Sequence, residues 1–270
     1  MRVCIRVFGI VQGVGFRPTV KRHADACDIA GSVSNKGPYV EIFAEGSEEC
    51  VHSFIKQIQE EPPKRAVILK LDVENVESGE DGIHKVESET DSKEKFQIIE
   101  SEKEEGEIFV SPDIAICPEC KKELYDKNDR RYLHPFINCT CCGPRLTILD
   151  SMPYDRVRTS MGEFPMCEKC EYEYTHAETR RFDAQPVCCN DCGPEVYLLG
   201  RKERGADAIR YTRKVISEGG IVAVKGIGGF HLCCDAAKEE TVARLRQRKK
   251  RPMKPFAVMM KDLDVVRREC

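Results

Sequence analysis

The sequence predicts an α+β chain of several domains. Three observations carry this. The first 100 of 270 residues alternate strand-like and helix-like patterns, the middle repeats itself at an offset of 50 residues with paired cysteines, and the residues from 201 onward return to strand–turn–helix order. The first strand is Arg2–Phe8, with Val3, Ile5 and Val7 on one face. A glycine-bearing turn follows, then helical spacing over Phe16–Ile29. Gly31–Asn35 and Tyr39–Phe43 flank Lys36-Gly37-Pro38, a hairpin signal. Val51, Phe54, Ile55 and Ile58 form an amphipathic stripe that Pro62-Pro63 ends. Val67–Val76 and Phe96–Ile99 complete a βαββαβ order, with two helices on one face of an antiparallel sheet.

Composition narrows the class. The chain is 41% hydrophobic and 33% charged, which suits a globular chain with real cores, and no apolar run approaches the ~18 residues of a membrane span. The N-terminus lacks an apolar run followed by a small-residue cleavage site, so a cytoplasmic location is expected. The net charge of −3 excludes a uniformly basic nucleic-acid binder. Residues 72–107 hold 14 acids against 4 bases, and residues 201–270 hold 18 bases against 9 acids. An acidic connector and a basic C-terminal region thus flank the cysteine-rich middle. The expected divisions are 1–100, a linker over 101–111, a finger region over 112–198, and 201–270.

In that middle, Cys117-x2-Cys120-x18-Cys139-x2-Cys142 returns as Cys167-x2-Cys170-x18-Cys189-x2-Cys192. Arg130-Arg131-Tyr132 returns as Arg180-Arg181-Phe182, and Cys142-Gly-Pro as Cys192-Gly-Pro. Two Cys-x2-Cys knuckles complete a tetrahedron around one ion, so two structural zinc ions per chain are expected. Disulfides and an iron–sulfur site are the alternatives. Cys141 and Cys188 sit beside ligand positions, but the repeat register selects Cys142 and Cys189. His134 and His176 lie within the spacers and are not needed as ligands. Acids and bases mix along both fingers, which argues against a nucleic-acid face.

Gln12-Gly13-Val14-Gly15-Phe16-Arg17 joins the first strand to the first helix. Its glycines let backbone N–H groups converge at a helix start, and Arg17 adds a planar fork, which together make an anion cradle. Asn35 follows Arg17 by 18 residues. Val-Gln-Gly-Val-Gly-Phe-Arg with this Asn resembles the acylphosphatase family. That resemblance implies a ferredoxin-like fold, Arg17 holding the phosphate of an acyl phosphate, and Asn35 orienting the attacking water.

From 205 onward, Ala208–Glu218 reads as a helix, Ile221–Val224 as a buried-type strand, Glu239–Arg248 as a helix and Phe256–Met260 as a further strand. A glycine turn carries Lys225, and a basic run carries Lys249 and Arg251. Together they resemble the YrdC-like ATP-binding fold, which implies contacts from Lys249 and Arg251 to nucleotide phosphates, and Lys225 is a further candidate for nucleotide binding. The linear order of all three parts resembles the HypF carbamoyltransferases that mature [NiFe] hydrogenases. That resemblance implies carbamoyl phosphate and ATP as substrates, a carbamoyl adenylate intermediate, and the C-terminal Cys of a HypE-type protein as acceptor in cyanide-ligand synthesis. HypF proteins continue well beyond the equivalent of Cys270. An incomplete YrdC-like module is therefore expected, with transfer lost, acyl-phosphate hydrolysis retained, and a second chain carrying the remaining domains as one implied partner. A stand-alone acylphosphatase with a finger scaffold and a zinc-ribbon nucleic-acid binder are the alternatives.

Overall fold

The computed structural model describes residues 1–76, 95–102 and 109–270. Most of the acidic connector and the middle of the 101–111 linker lie outside the described residues. Two compact units are present, 1–195 and 196–270. The acylphosphatase-like and finger regions, expected as separate domains, share the first unit.

That unit begins with β1 (Arg2–Ile10), α1 (Phe16–Ala26), β2 (Ala30–Asn35), β3 (Tyr39–Glu45), α2 (Glu48–Glu60), β4 (Val67–Asn75) and β5 (Phe96–Ile98). The sheet order is β4-β1-β3-β2-β5. The first four strands pair antiparallel, as expected, whereas β5 lies parallel to β2, with Gly31 opposite Phe96. The sheet is therefore mixed at one edge. Val3, Ile5, Val7, Val33, Val40 and Ile42 form its inner face. Phe16, Val20 and Ala24 of α1 and Val51, Phe54 and Ile58 of α2 cover it, and Phe54 meets Phe96 edge-on at 6.1 Å. Helix α1 stops three residues short of the expected Ile29, because Asp28 adopts φ 59° and the Ile29 N–H turns back to the Ala24 carbonyl.

Fold and site meet at the β2–β3 hairpin. Gln12 Nε2 donates to the Gly37 carbonyl at 2.8 Å, which brings the hairpin carrying Asn35 to the loop carrying Arg17. The rest of the unit holds α3 (Pro118–Tyr125) and α4 (Glu168–Thr175), offset by 50 residues as the repeat requires. The repeat extends to the backbone: Leu133 and Asp183, equivalent positions, adopt φ 53° and 55°.

Unit 196–270 contains α5 (Gly205–Ser217), β6 (Val222–Gly226), β7 (Gly229–Cys233), α6 (Glu239–Lys249) and α7 (Leu263–Glu269). Strands β6 and β7 form an antiparallel hairpin. The sequence showed β6 but not β7, whose glycine-rich start reads as a turn. Two expectations need correction. Phe256–Met260 is not a strand: no described segment pairs with it, and Met259 is 98% exposed. Ile221–Val224 is not buried, since Val224, Phe230 and Leu232 of this hairpin are exposed. A two-stranded ribbon has no second layer to cover it. Cys270 caps α7 at its C-terminal end.

Gly31 tests the packing of the mixed edge. It holds φ 143° in β2, and a Cβ there would come 1.9 Å from the Phe43 carbonyl oxygen. Gly31→Ala is expected to cost at least ~2 kcal/mol, read as a lower urea midpoint of the 1–195 unit.

Candidate active site and metal centres

The glycine loop expected to cradle an anion lies at the start of α1. Gly15 is the residue before the helix, with φ 81°, a left-handed conformation that glycine adopts without strain. A side chain there would also strike Thr140 Cγ2 at 2.7 Å. Gln12, Gly13, Gly15, Phe16, Arg17 and Asn35 line one cavity of about 20 Å³. Val14, also predicted for this site, is buried in the core. Asn35 is 1% exposed, and its Oδ1 has no hydrogen-bond partner. Thus the loop, the arginine and the asparagine converge as the motif spacing suggested.

The finger region closes the same cavity. Arg145, Tyr154, Asp183 and Gln185 also line it. Arg17 is 7% exposed; its Nη1 donates to Asp155 Oδ1 at 2.9 Å and to Ser101 Oγ at 3.2 Å, and its Nε lies 3.1 Å from Asp183 Oδ2. Burial opposes the Arg17 charge, but Asp183 and Asp155 outweigh it and hold the pKa above the ordinary arginine value. Burial conversely raises the Asp183 carboxyl above the usual carboxylate range, with Arg17 opposing. Arg17, Asp183 and Gln185 also line a second, larger cavity of about 510 Å³ with Ser101, Asp155, Arg158 and Tyr174. The arginine and its carboxylates therefore stand between the cradle and a wider cleft.

Arg145 is 2% exposed. Its Nε donates to the Gly13 carbonyl, and its other nitrogens donate to the carbonyls of Cys139, Thr140, Cys142 and Pro144. Asp113 fixes its backbone, accepting from the Arg145 N–H at 2.8 Å. The bond from Arg145 occupies the Gly13 carbonyl, so that this oxygen does not compete for the loop's N–H groups.

The two cysteine quartets form as spaced. The Sγ atoms of Cys117, Cys120, Cys139 and Cys142 lie within 4.8 Å of one another, as do those of Cys167, Cys170, Cys189 and Cys192. Measured edges are 3.8 and 3.7 Å in the first set and 3.8, 3.9 and 3.6 Å in the second. A tetrahedron with Zn–S of ~2.3 Å has edges of about 3.8 Å, so the donor sets fit zinc. Cys141 is exposed, and Cys188 turns instead to His134 Nε2 at 3.2 Å. Burial pushes His134 down to about 4, so its ring is neutral near pH 7. His176 stacks on Tyr172 at 3.7 Å, away from both quartets.

The fingers hold each other by reciprocal contacts. Arg130 and Arg131 of the first pair with Glu173 of the second, and Arg180 and Arg181 of the second pair with Glu123 of the first. Arg130 Nη1 reaches Cys170 Sγ at 3.2 Å, and Arg180 Nη1 reaches Cys120 Sγ at 3.3 Å. Arg131 Nε donates to the Cys188 carbonyl, and Arg181 Nε to that of Asn138, its repeat equivalent. Thr140 and Asn190, equivalent again, each bind two carbonyls of the opposite repeat.

The predicted nucleotide residues have separate surroundings. Lys225 lies in β6, with Nζ 5.9 Å from the Phe230 ring centre. Lys249 ends α6, and Arg251 folds back on it, with its N–H to the Arg246 carbonyl at 3.0 Å.

Sequence reasoning missed Arg145, Tyr154, Asp155, Asp183 and Gln185. Three of them leave a trace as breaks in the repeat: Asp183 stands where the first finger has Leu133, Gln185 where it has Pro135, and Arg145 where the second has Glu195.

Comparison with known proteins agrees with the geometry. Residues 3–98 match the acylphosphatase family, residues 116–149 and 166–199 the HypF finger, and residues 214–270 the telomere recombination (Sua5/YciO/YrdC) family. A probable carbamoyltransferase HypF of Methanocaldococcus jannaschii is 52% identical over 266 residues, 97% of this chain and 33% of that protein. The chain belongs to the HypF family. A crystal structure of full-length HypF in the phosphate- and nucleotide-bound form superposes with TM-score 0.87 at 46% identity, covering 98% of this chain and 34% of that one. An acylphosphatase of Caldivirga maquilingensis is 45% identical over 83 residues, 30% of this chain and 86% of that protein. The chain thus spans about a third of the length of its HypF relatives. The ferredoxin-like acylphosphatase fold, the finger region and a partial YrdC module are as the sequence indicated. The finger match and the two Cys4 clusters point to zinc binding. Among the described residues no helix is long and apolar enough to cross a membrane.

The crossed ion pairs set a pH-dependent stability. Burial alone would raise the carboxyls of Glu123 and Glu173, but hydrogen bonds from Arg181 and Arg180 to Glu123, and from Arg131 to Glu173, hold both below the usual glutamate value. A depressed folded pKa gives stability that is present above the unfolded value, ~4.3, and lost as pH falls through the folded one. Arg181→Met is expected to cost about 3 kcal/mol at pH 7. The gap to wild type in thermal midpoint should narrow as pH drops below ~4.

Proposed function

We propose that this chain hydrolyses acyl phosphates in the cavity between the Gln12–Arg17 loop and Asn35, and that carbamoyl phosphate is its substrate. The convergence of loop, Arg17 and Asn35 on one cavity supports this most directly. The phosphate oxygens would meet Arg17 and the loop N–H groups, which offset charge on the transferring group. The Asn35 side chain would orient a water in line with the leaving oxygen. Water oxygen bonds to phosphorus, the phosphorus–oxygen bond to the carbamoyl group breaks, and carbamate and phosphate result. Carbamate is a good leaving group, so no strong general acid is required.

The HypF relatives support a place for this step in a larger reaction. In the whole protein, carbamate and ATP would give carbamoyl adenylate and pyrophosphate at the YrdC-like part, with Lys225, Lys249 and Arg251 near the nucleotide phosphates. The carbamoyl group would then pass to a HypE-type C-terminal cysteine for cyanide-ligand synthesis in hydrogenase maturation. We further propose one structural zinc per quartet, in a reducing, cytoplasmic setting. The zinc ions would fix the knuckles and take no part in the chemistry.

Arg17→Ala is expected to lower kcat/KM for an acyl phosphate by about 10²–10³-fold, by analogy with a lost oxyanion donor. Asn35→Ala is expected to lower kcat more than it weakens phosphate binding. Unchanged kcat/KM in the Arg17 variant would remove the assignment. Elemental analysis of protein purified under reducing conditions is expected to give about 2 Zn per chain. A value near zero, with the eight thiols oxidised to disulfides, would overturn the zinc assignment.

A further inference from the structure

Tyr154 lies between the two fingers, outside the residues 3–98 that match acylphosphatases. Its backbone bridges the two halves of the cradle: its N–H donates to Gln12 Oε1 at 3.1 Å, and its carbonyl accepts from Asn35 Nδ2 at 3.5 Å. Its ring packs on Gly13, where an added Cβ would sit 3.4 Å from two ring carbons. Tyr154 is 4% exposed, and its hydroxyl has no hydrogen-bond partner. Buried polar groups are normally paired, so an orphan hydroxyl on a residue that lines a cavity calls for a partner.

The cavity supplies the setting. Tyr154 lines it together with Gly13, Gly15, Arg17, Asn35 and Arg145. The second orphan, Asn35 Oδ1, is only an acceptor and suits a water hydrogen. The phenol can donate, and burial raises its pKa against the pull of Arg145 and Arg17, so it stays protonated near pH 7. Resting on the acyl-phosphate reading above, we propose that the Tyr154 hydroxyl donates a hydrogen bond to the phosphate group bound in the cradle. The finger region then contributes a ligand-contacting group to a site whose other parts come from residues 12–35.

Tyr154→Phe in the full chain isolates the hydroxyl, because it keeps the ring on Gly13. Three measurements decide the matter: calorimetric titration with inorganic phosphate, acyl-phosphate turnover, and thermal unfolding without phosphate. The phosphate Kd is expected to rise about tenfold, as for a lost bond to a charged acceptor, with a similar fall in kcat/KM. The phosphate-free Tm is expected to stay level or rise, because the variant removes an unpaired buried hydroxyl. Unchanged phosphate affinity and turnover would overturn the assignment, as would a lower phosphate-free Tm, which would mean that the hydroxyl is paired in the free protein. Arg17→Ala serves as the control. If wild type binds phosphate and hydrolyses acyl phosphate in an Arg17-dependent way while Tyr154→Phe matches wild type, only the Tyr154 role falls. If wild type does neither, the acyl-phosphate reading falls as well.

Discussion

Four guanidiniums buried in the first unit, those of Arg17, Arg131, Arg145 and Arg181, constrain everything around them. A charge taken out of water destabilises the fold by several kcal/mol unless charges or aligned carbonyls surround it. Arg131 and Arg181 find glutamates across the repeat, Arg17 finds Asp155 and Asp183, and Arg145 finds five backbone carbonyls. Arg17, Arg131 and Arg181 draw these partners from distant parts of the chain, and Arg145 adds the distant Gly13 carbonyl to four carbonyls close to it in sequence. The acylphosphatase-like part and the fingers therefore form one unit: separating them would leave Arg17 without its carboxylates and Arg145 without the Gly13 carbonyl.

The same logic explains the crossed fingers. A zinc ion held by four thiolates would carry a net charge of −2, which a small, half-buried finger solvates poorly. Arg130 and Arg131 place two positive charges beside the second quartet, and Arg180 and Arg181 do so for the first. Glu123 and Glu173 hold those guanidiniums in place. Reciprocity between repeats is the packing solution that satisfies both clusters at once.

Local patterns were legible where they have a local cause. Alternation in β1, the stripe of α2 and the x2-x18-x2 spacing each depend on neighbours in sequence, and each reads directly. Strand Phe256–Met260 failed because an apolar β-rich run is a strand only if another strand pairs with it. Strand β7 was hidden because Gly226, Gly228 and Gly229 mark a turn, while the pairing that follows depends on β6. The roof of the cradle could not be read from spacing at all. Arg17 and Asp155 are 138 residues apart, and nothing near either one announces the other. The repeat offered an indirect route. Positions that break the match across an offset of 50 are where one finger can do what the other does not. Asp183 keeps the left-handed backbone of Leu133 but swaps an apolar side chain for the carboxylate that meets Arg17.

The first cysteine quartet and the glycine loop are joined by a short path of contacts. The first quartet fixes the Cys139–Cys142 knuckle, the carbonyls of that knuckle hold Arg145, and Arg145 holds the Gly13 carbonyl. A nest of N–H groups binds an anion only while its carbonyls point away, and in a glycine loop little besides such a bond prevents rotation. Arg145 lies outside residues 3–98, the part of the chain that matches the acylphosphatase family. In this chain the loop's geometry therefore depends on an arginine that the finger's own carbonyls hold in place.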